Sequence, residues 1–266
     1  MMRAFIALAF MGSLALTGIS PARFVLPEEP AARIGAGCIT GNIAFSPDGE
    51  ILAVPTGIGI RLYRGDNLER MALLEGHEEE VLSAAFSPDG KLLASGDWDG
   101  VILIWDVVRR RKVAKLVNHA FEVFALAFSP DGRLLASGGV DRIIRLWDVK
   151  RKELKAMLKG HSDVIFSLIF TPDGRTLISG GKDGIRLWDV GTGKQVGYLP
   201  VWGAYSIALF PDGKTLASGS FNKVVQLWDL NRGEEVDRIE GYLPPISLSP
   251  DGRMLAMMGE DRTSVR

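Results

Sequence analysis

The chain has 266 residues, 47% of them apolar and 24% charged, with a net charge of −1. That is ordinary for a soluble globular protein and long enough to bury a substantial core. The near-zero charge excludes a global field that would draw the chain to nucleic acid or an anionic membrane, and a single cysteine, Cys38, excludes an internal disulfide.

The first residues differ from the rest. Met1-Met2-Arg3 is a short basic start, residues 4–19 carry no charge, and Ser20-Pro21-Ala22 offers small residues before the polar chain begins at Arg23. This pattern predicts a secretory signal peptide over residues 1–22, cleaved after Ala22. The apolar run is shorter than the roughly 20 residues that span a bilayer, so cleavage is favoured over an uncleaved anchor, with no stable span afterwards. The expected location is secreted or periplasmic, the alternative a membrane-anchored chain. A linker over 23–30 then leads into a domain over 31–266, in which Cys38 reads as a small buried hydrophobe.

Within that domain a phrase of the type Ser-Pro-Asp-Gly recurs at 46–49, 87–90, 129–132, 171–174, 210–213 and 249–252, its prolines stepping by 41, 42, 42, 39 and 39 residues. Proline presets φ, and Asp-Gly tolerates positive φ, so each phrase is a turn. A fixed period near forty marks a repeat architecture. One unit predicts a strand over 81–86, the turn, a strand over 92–95, a tight turn over 96–100, a β-branched strand over 101–105, a basic turn over 109–111 and a strand over 112–117. Four short antiparallel strands per period are one propeller blade. The expected fold is all-β, a β-propeller of four-stranded antiparallel blades in six repeats (38–76, 77–118, 119–160, 161–199, 200–240, 241–266), the last incomplete. The chain stops before the Leu-Trp-Asp that should end its last third strand, which leaves open an abbreviated blade or a longer parent. A closed ring exposes no sheet edge and is expected to be monomeric.

Trp-Asp closes the third strand at Trp105-Asp106, Trp147-Asp148, Trp188-Asp189 and Trp228-Asp229, and Gly-His or Asn-His precedes three of these at Gly76-His77, Asn118-His119 and Gly160-His161. On these residues the chain resembles the WD-repeat family of β-propellers. The resemblance implies hydrogen-bonded tetrads of His77, Ser95, Asp99 and Trp105, of His119, Ser137, Asp141 and Trp147, and of His161, Ser179, Asp183 and Trp188. An indole N–H only donates, so the serine, imidazole and carboxylate must relay to it. His, Ser and Asp in one blade mimic a catalytic triad. All three histidines, however, occupy the same repeat position, as a structural device requires and a catalytic centre does not. No catalytic residue, metal site or cofactor is therefore expected. Blade five carries Pro200 at the His position, and blade one reads Leu62-Tyr63-Arg64 where Leu-Trp-Asp should stand. Blade four is one residue short between Asp183 and Trp188, which predicts an adjusted turn.

The loops before the first strands and between the second and third strands share one face. That face and its strand starts carry Trp98, Phe121, Phe124, Phe166, Trp202, Tyr205 and Phe221, whereas the opposite loops carry Phe210 and otherwise polar residues. Aromatic side chains of this kind anchor interfaces. In the family the residue before the turn Asp often contacts partners, which implies Trp98, Val140, Lys182 and Phe221 here. Trp98 and Phe221, at turn tips, are expected to be exposed. The basic runs at 109–112 and 150–152 lack interleaved aromatics and do not predict a nucleic-acid site. The expected function is a non-catalytic scaffold that binds a protein or peptide through the aromatic face. The alternative is the accessory propeller of a longer enzyme or envelope protein.

Overall fold

The computed structural model describes residues 40–220, 222–249 and 251–259, all of them in strands, turns or loops. Five antiparallel sheets of four strands follow one another in sequence order. The first contains β1 (Ala44–Phe45), β2 (Ile51–Thr56), β3 (Gly59–Arg64) and β4 (Arg70–Leu74). The second contains β5 (Val81–Phe86), β6 (Leu92–Asp97), β7 (Val101–Asp106) and β8 (Arg111–Val117). The third contains β9 (Val123–Phe128), β10 (Leu134–Gly139), β11 (Ile143–Asp148) and β12 (Glu153–Lys159). The fourth contains β13 (Ile165–Phe170), β14 (Thr176–Gly181), β15 (Gly184–Asp189) and β16 (Gln195–Leu199). The fifth contains β17 (Ser206–Leu209), β18 (Thr215–Ser220), β19 (Val224–Asp229) and β20 (Glu234–Glu240). Among the described residues the sixth sheet is the pair β21 (Tyr242–Leu248) and β22 (Leu255–Gly259). The signal-peptide, linker and Cys38 readings, Phe221, and residues 260–266 lie outside the described residues.

The core lies between sheets. Ala53, Ile60, Leu62 and Leu74 of the first blade pack with Val81, Leu93, Leu103 and Trp105 of the second. The same layering joins blades two and three around Trp147, three and four around Trp188, and four and five around Trp228. Each tryptophan thus cements its own blade to the preceding one. In every complete blade the pairing of the third and fourth strands slips one position at this residue, at Tyr63, Trp105, Trp147, Trp188 and Trp228. Such a bulge bends the strand and re-aims the side chain.

The Pro-Asp-Gly turns are built from their own side chains. Ser87 Oγ donates to Asp89 Oδ1 at 2.6 Å and accepts from Leu92 N at 2.9 Å, and Ser129 with Asp131 repeats the pattern. In blade five Phe210 replaces the serine, and Asp212 instead accepts from Lys214 N and Thr215 N. The aspartates of the Trp-Asp pairs have a local task too. Asp106 Oδ1 accepts from Arg109 N at 2.8 Å and Asp148 Oδ1 from Arg151 N at 2.7 Å, capping the turn into the fourth strand.

Neighbouring blades also exchange hydrogen bonds through hydroxyl groups in or just ahead of their first strands. Thr40 Oγ1 donates to Val81 O at 2.6 Å, Ser83 Oγ to Val123 O at 2.8 Å, and Ser206 Oγ accepts from Ile246 N at 3.1 Å. The shortened turn of blade four is accommodated by glycine. Gly181 pairs directly with Gly184 across the two residues Lys182 and Asp183, and Gly184 takes φ +125, a value that L side chains rarely adopt.

Candidate functional site

The loops ahead of the first strands and the turns between second and third strands meet on one face. Trp98 N donates to Glu80 O at 3.0 Å, Val140 N to Glu122 O at 3.1 Å and Lys182 N to Val164 O at 3.0 Å. Gly203 N then reaches back to Lys182 O at 3.1 Å, linking blade five to blade four.

Beneath this face sit the polar networks. Trp105 Nε1 donates to Ser95 Oγ at 2.8 Å, and Ser95 Oγ lies 2.7 Å from His77 Nε2. Trp147, Ser137 and His119 repeat these distances, as do Trp188, Ser179 and His161. The indole donates, so the serine accepts from it and spends its one hydrogen on Nε2, which leaves Nδ1–H to face the carboxylate. In blade three Nδ1 is 3.0 Å from Asp141 Oδ2, and in blade four 2.6 Å from Asp183 Oδ1.

Blade two corrects the expectation. His77 Nδ1 lies 2.7 Å from Asp97 Oδ2, not against Asp99, which is exposed. Asp97 stands at the position of Gly139 and Gly181, each paired with the start of its first strand. In blade four a Cβ at Gly181 would fall 2.7 Å from His161 Nδ1 and 2.8 Å from Asp183 Oδ1. A side chain there points straight at the imidazole, so in blade two the aspartate two residues earlier reaches the ring first. Its Oδ1 meanwhile accepts from Asp99 N and Val101 N, closing the turn.

Two arginines join the network that spacing alone did not bring out. Arg145 Nη1 donates to Asp141 Oδ2 at 2.7 Å, and its Nε and Nη2 donate to Asn118 Oδ1 and Asn118 O. Arg186 Nη1 donates to Asp183 Oδ2 at 2.8 Å and its guanidinium lies 5.0 Å from the Tyr198 ring. The available signal was an arginine two residues before Trp, on the inward side of an otherwise apolar strand. Burial depresses His119 and His161 below the usual 6.5, against the pull of their carboxylates. Burial would raise Asp141 and Asp183, but hydrogen bonds from the imidazoles and the surrounding donors prevail and hold both at about 2. In blade five Trp228 Nε1 donates to Ser218 Oγ at 3.1 Å, and Pro200 supplies no imidazole to continue the relay.

The aromatic candidates divide. Phe124, Phe166 and Tyr205 form a ladder along neighbouring strand starts, with ring centroids 5.9 and 4.5 Å apart. All three are half-buried. Burial raises the Tyr205 phenol, partly offset by the charge of Lys182, and Lys182 itself pairs with Asp163 at 3.2 Å. Phe121 and Trp202 stand out into solvent at 56% and 67% exposure. Trp98 was expected to be exposed and is half-buried, because its turn folds back onto the loop at Glu80. Among the described residues no group of three or more His, Cys, Asp or Glu could hold a metal ion, and no helix is long and apolar enough to cross a membrane.

The chain is similar to known proteins. The WD domain, G-beta repeat family matches residues 68–106, 110–148, 152–189 and 194–229. The Periodic tryptophan protein 2 homolog of Neurospora crassa is 33% identical over 94 residues, 35% of this chain and 10% of that protein. The Target of rapamycin complex subunit wat1 of Schizosaccharomyces pombe is 37% identical over 68 residues, 25% of this chain and 22% of that protein. The matches thus span under a quarter of these relatives' length. A chain of the crystal structure of the mitotic checkpoint complex superimposes with a TM-score of 0.80 at 24% identity, covering 87% of this chain and 75% of that one. That likeness concerns the fold.

Proposed function

This chain belongs to the WD domain, G-beta repeat family, and from that premise we propose that it is a non-catalytic scaffold that binds a protein or peptide through its aromatic face. The observation that carries this reading is the ladder of Phe124, Phe166 and Tyr205, flanked by the exposed Phe121 and Trp202. Aromatic side chains gathered on one face are what interface anchors look like before a partner covers them. The His-Ser-Asp constellations argue for structure over catalysis. Ser95, Ser137 and Ser179 are 0% exposed and already engaged by tryptophan and histidine, so no substrate carbonyl can approach them. We read the molecule as a six-repeat propeller whose last blade is incomplete, monomeric once its ring closes, and resident outside the cytoplasm on the strength of the signal-like pattern over residues 1–22.

The test is capture from an envelope or secreted fraction by the full chain and by a Phe166→Ala/Trp202→Ala version with unchanged circular dichroism. A protein retained by the first and lost by the second supports the reading. Equal retention by both removes the aromatic ladder from the site. N-terminal sequencing of the exported protein checks the location, and an intact Met1 on a cytosolic chain overturns it.

A further inference from the structure

We propose that the sector of this face over blades one to three takes a cationic segment of the partner, one that carries Lys or Arg beside an apolar residue. The inference rests on the binding reading above and names the chemistry it selects.

The sector is one continuous strip. The tip of blade one at Gly57-Ile58 lies against Glu80, a Cβ at Gly57 coming 3.9 Å from its Cγ. Glu80 O accepts from Trp98 N at 3.0 Å. The turn of Trp98 in its own place abuts the next loop, since a Cβ at Gly100 would fall 2.8 Å from Phe121 O. Apolar Ile58, Trp98 and Phe121 therefore alternate with acids across three blades, and Ile58 and Phe121 are 59% and 56% exposed.

The exposed charge along this strip is mostly acidic. Its loops, residues 56–59, 75–80, 97–100 and 118–122, hold five exposed carboxylates (Glu75, Glu78, Glu79, Glu80 and Asp99) and no Lys or Arg, while Arg142 in the adjoining turn of blade three donates to Ser162 O of the next loop. The corresponding loops of blade four set Lys182 against Asp163 instead. Blade two also differs within its network. Arg145 and Arg186 neutralise the buried aspartates of blades three and four, whereas blade two has Leu103 at that place. A void of about 30 Å³ remains there, lined by His77, Glu78, Asp97, Asp99 and Lys115. It is water-sized, so a partner's cationic head would rest at its mouth, against Glu78 and Asp99, with its stem on the apolar residues. Aromatic rings beside carboxylates bind Lys and Arg by cation–π and ionic attraction together.

The test uses three labelled synthetic peptides of equal length and equal Leu and Phe content, one rich in Lys and Arg, one uncharged and one rich in Glu. Their binding to the full chain is read by fluorescence anisotropy at low and high salt. The basic peptide is expected to bind best and to weaken about tenfold as salt screens the exposed charges. A Glu78→Gln/Glu79→Gln/Glu80→Gln version and, separately, Phe121→Ala should each weaken it by a similar factor with folding unchanged. Preference for the uncharged or acidic peptide overturns the cationic assignment and leaves the aromatic-face reading standing. Equal binding of the basic peptide by all versions overturns the strip as its site. Binding of none of the three overturns the assignment, while the Phe166/Trp202 capture judges the broader reading independently.

Discussion

His77 Nδ1 lies 2.7 Å from Asp97 Oδ2, while Asp99, two residues on in the same turn, is exposed. The carboxylate that completes blade two thus comes from the end of the second strand instead of from the turn. Asp97 also accepts from Asp99 N and Val101 N, so a single side chain orients the imidazole and closes the turn. Asp97→Ala should cost about 2–3 kcal/mol, the loss of hydrogen bonds to a buried charged group. Asp99→Ala should stay within about 0.5 kcal/mol, as exposed substitutions do. Urea denaturation of the two variants decides the matter, and a larger loss from Asp99→Ala would reverse the assignment.

The same position predicts the opposite sensitivity in blade four. A methyl group at Gly181 would meet His161 Nδ1 at 2.7 Å and Asp183 Oδ1 at 2.8 Å, two atoms held by the network. Neither is the loose end of a flexible chain. Gly181→Ala should therefore cost about 1–3 kcal/mol by overpacking. A thermal melt matching the parent chain would show that the network yields freely.

Much of the architecture could be read from residues whose role is local. Proline, aspartate and glycine each have one reason to stand in a β-turn, so six phrases in phase revealed the period. The Trp, Ser and His of each network also followed from spacing, because strands hold side chains at fixed intervals. Asp97 escaped that reasoning. Counting positions from Ser95 selects Asp99, but the carboxylate's reach depends on how the turn closes, and the turn differs between blades. Arg145 and Arg186 escaped because an arginine inside an apolar strand reads as a surface residue until its partners Asp141, Asn118 and Asp183 are seen around it. The aromatic ladder needed three strands from separate repeats to come side by side, which no single repeat discloses.

The hydroxyl links between blades were equally hidden and are equally testable. Ser83 Oγ donates to Val123 O at 2.8 Å from a buried position, joining blade two to blade three. Blade three has Ala125 at the corresponding place, which shows that the fold tolerates the missing link once. Ser83→Ala should cost about 1 kcal/mol, the net worth of an ordinary buried hydrogen bond. The loss should appear as a lower urea midpoint with an unchanged slope. A loss of the size seen for a core cavity would mean that Ser83 does more than bridge two strands.

Stability should also fall with pH in two stages. Unfolded histidine takes up a proton near 6.5, but His119 and His161 hold theirs off to lower pH, chiefly because they are buried. Below about 6.5 the unfolded chain therefore binds more protons than the folded one, and stability drops. Structure gives the same direction. Protonation would place a hydrogen on Nε2 facing the serine hydroxyl, which already accepts from tryptophan, so the serine must turn its own hydrogen away. For Ser179 the remaining acceptor is Arg186 O, at 3.3 Å. The second stage belongs to Asp141 and Asp183, held at about 2 against 3.8 in the unfolded chain. Their contribution is fully present above pH 3.8 and is lost as pH falls towards 2. Urea midpoints measured from pH 8 downward should be level to about pH 7, decline below about 6.5 and fall again below about 4. Midpoints that stay level or rise between pH 7 and 5 would mean that the imidazoles carry their protons inside the folded blades.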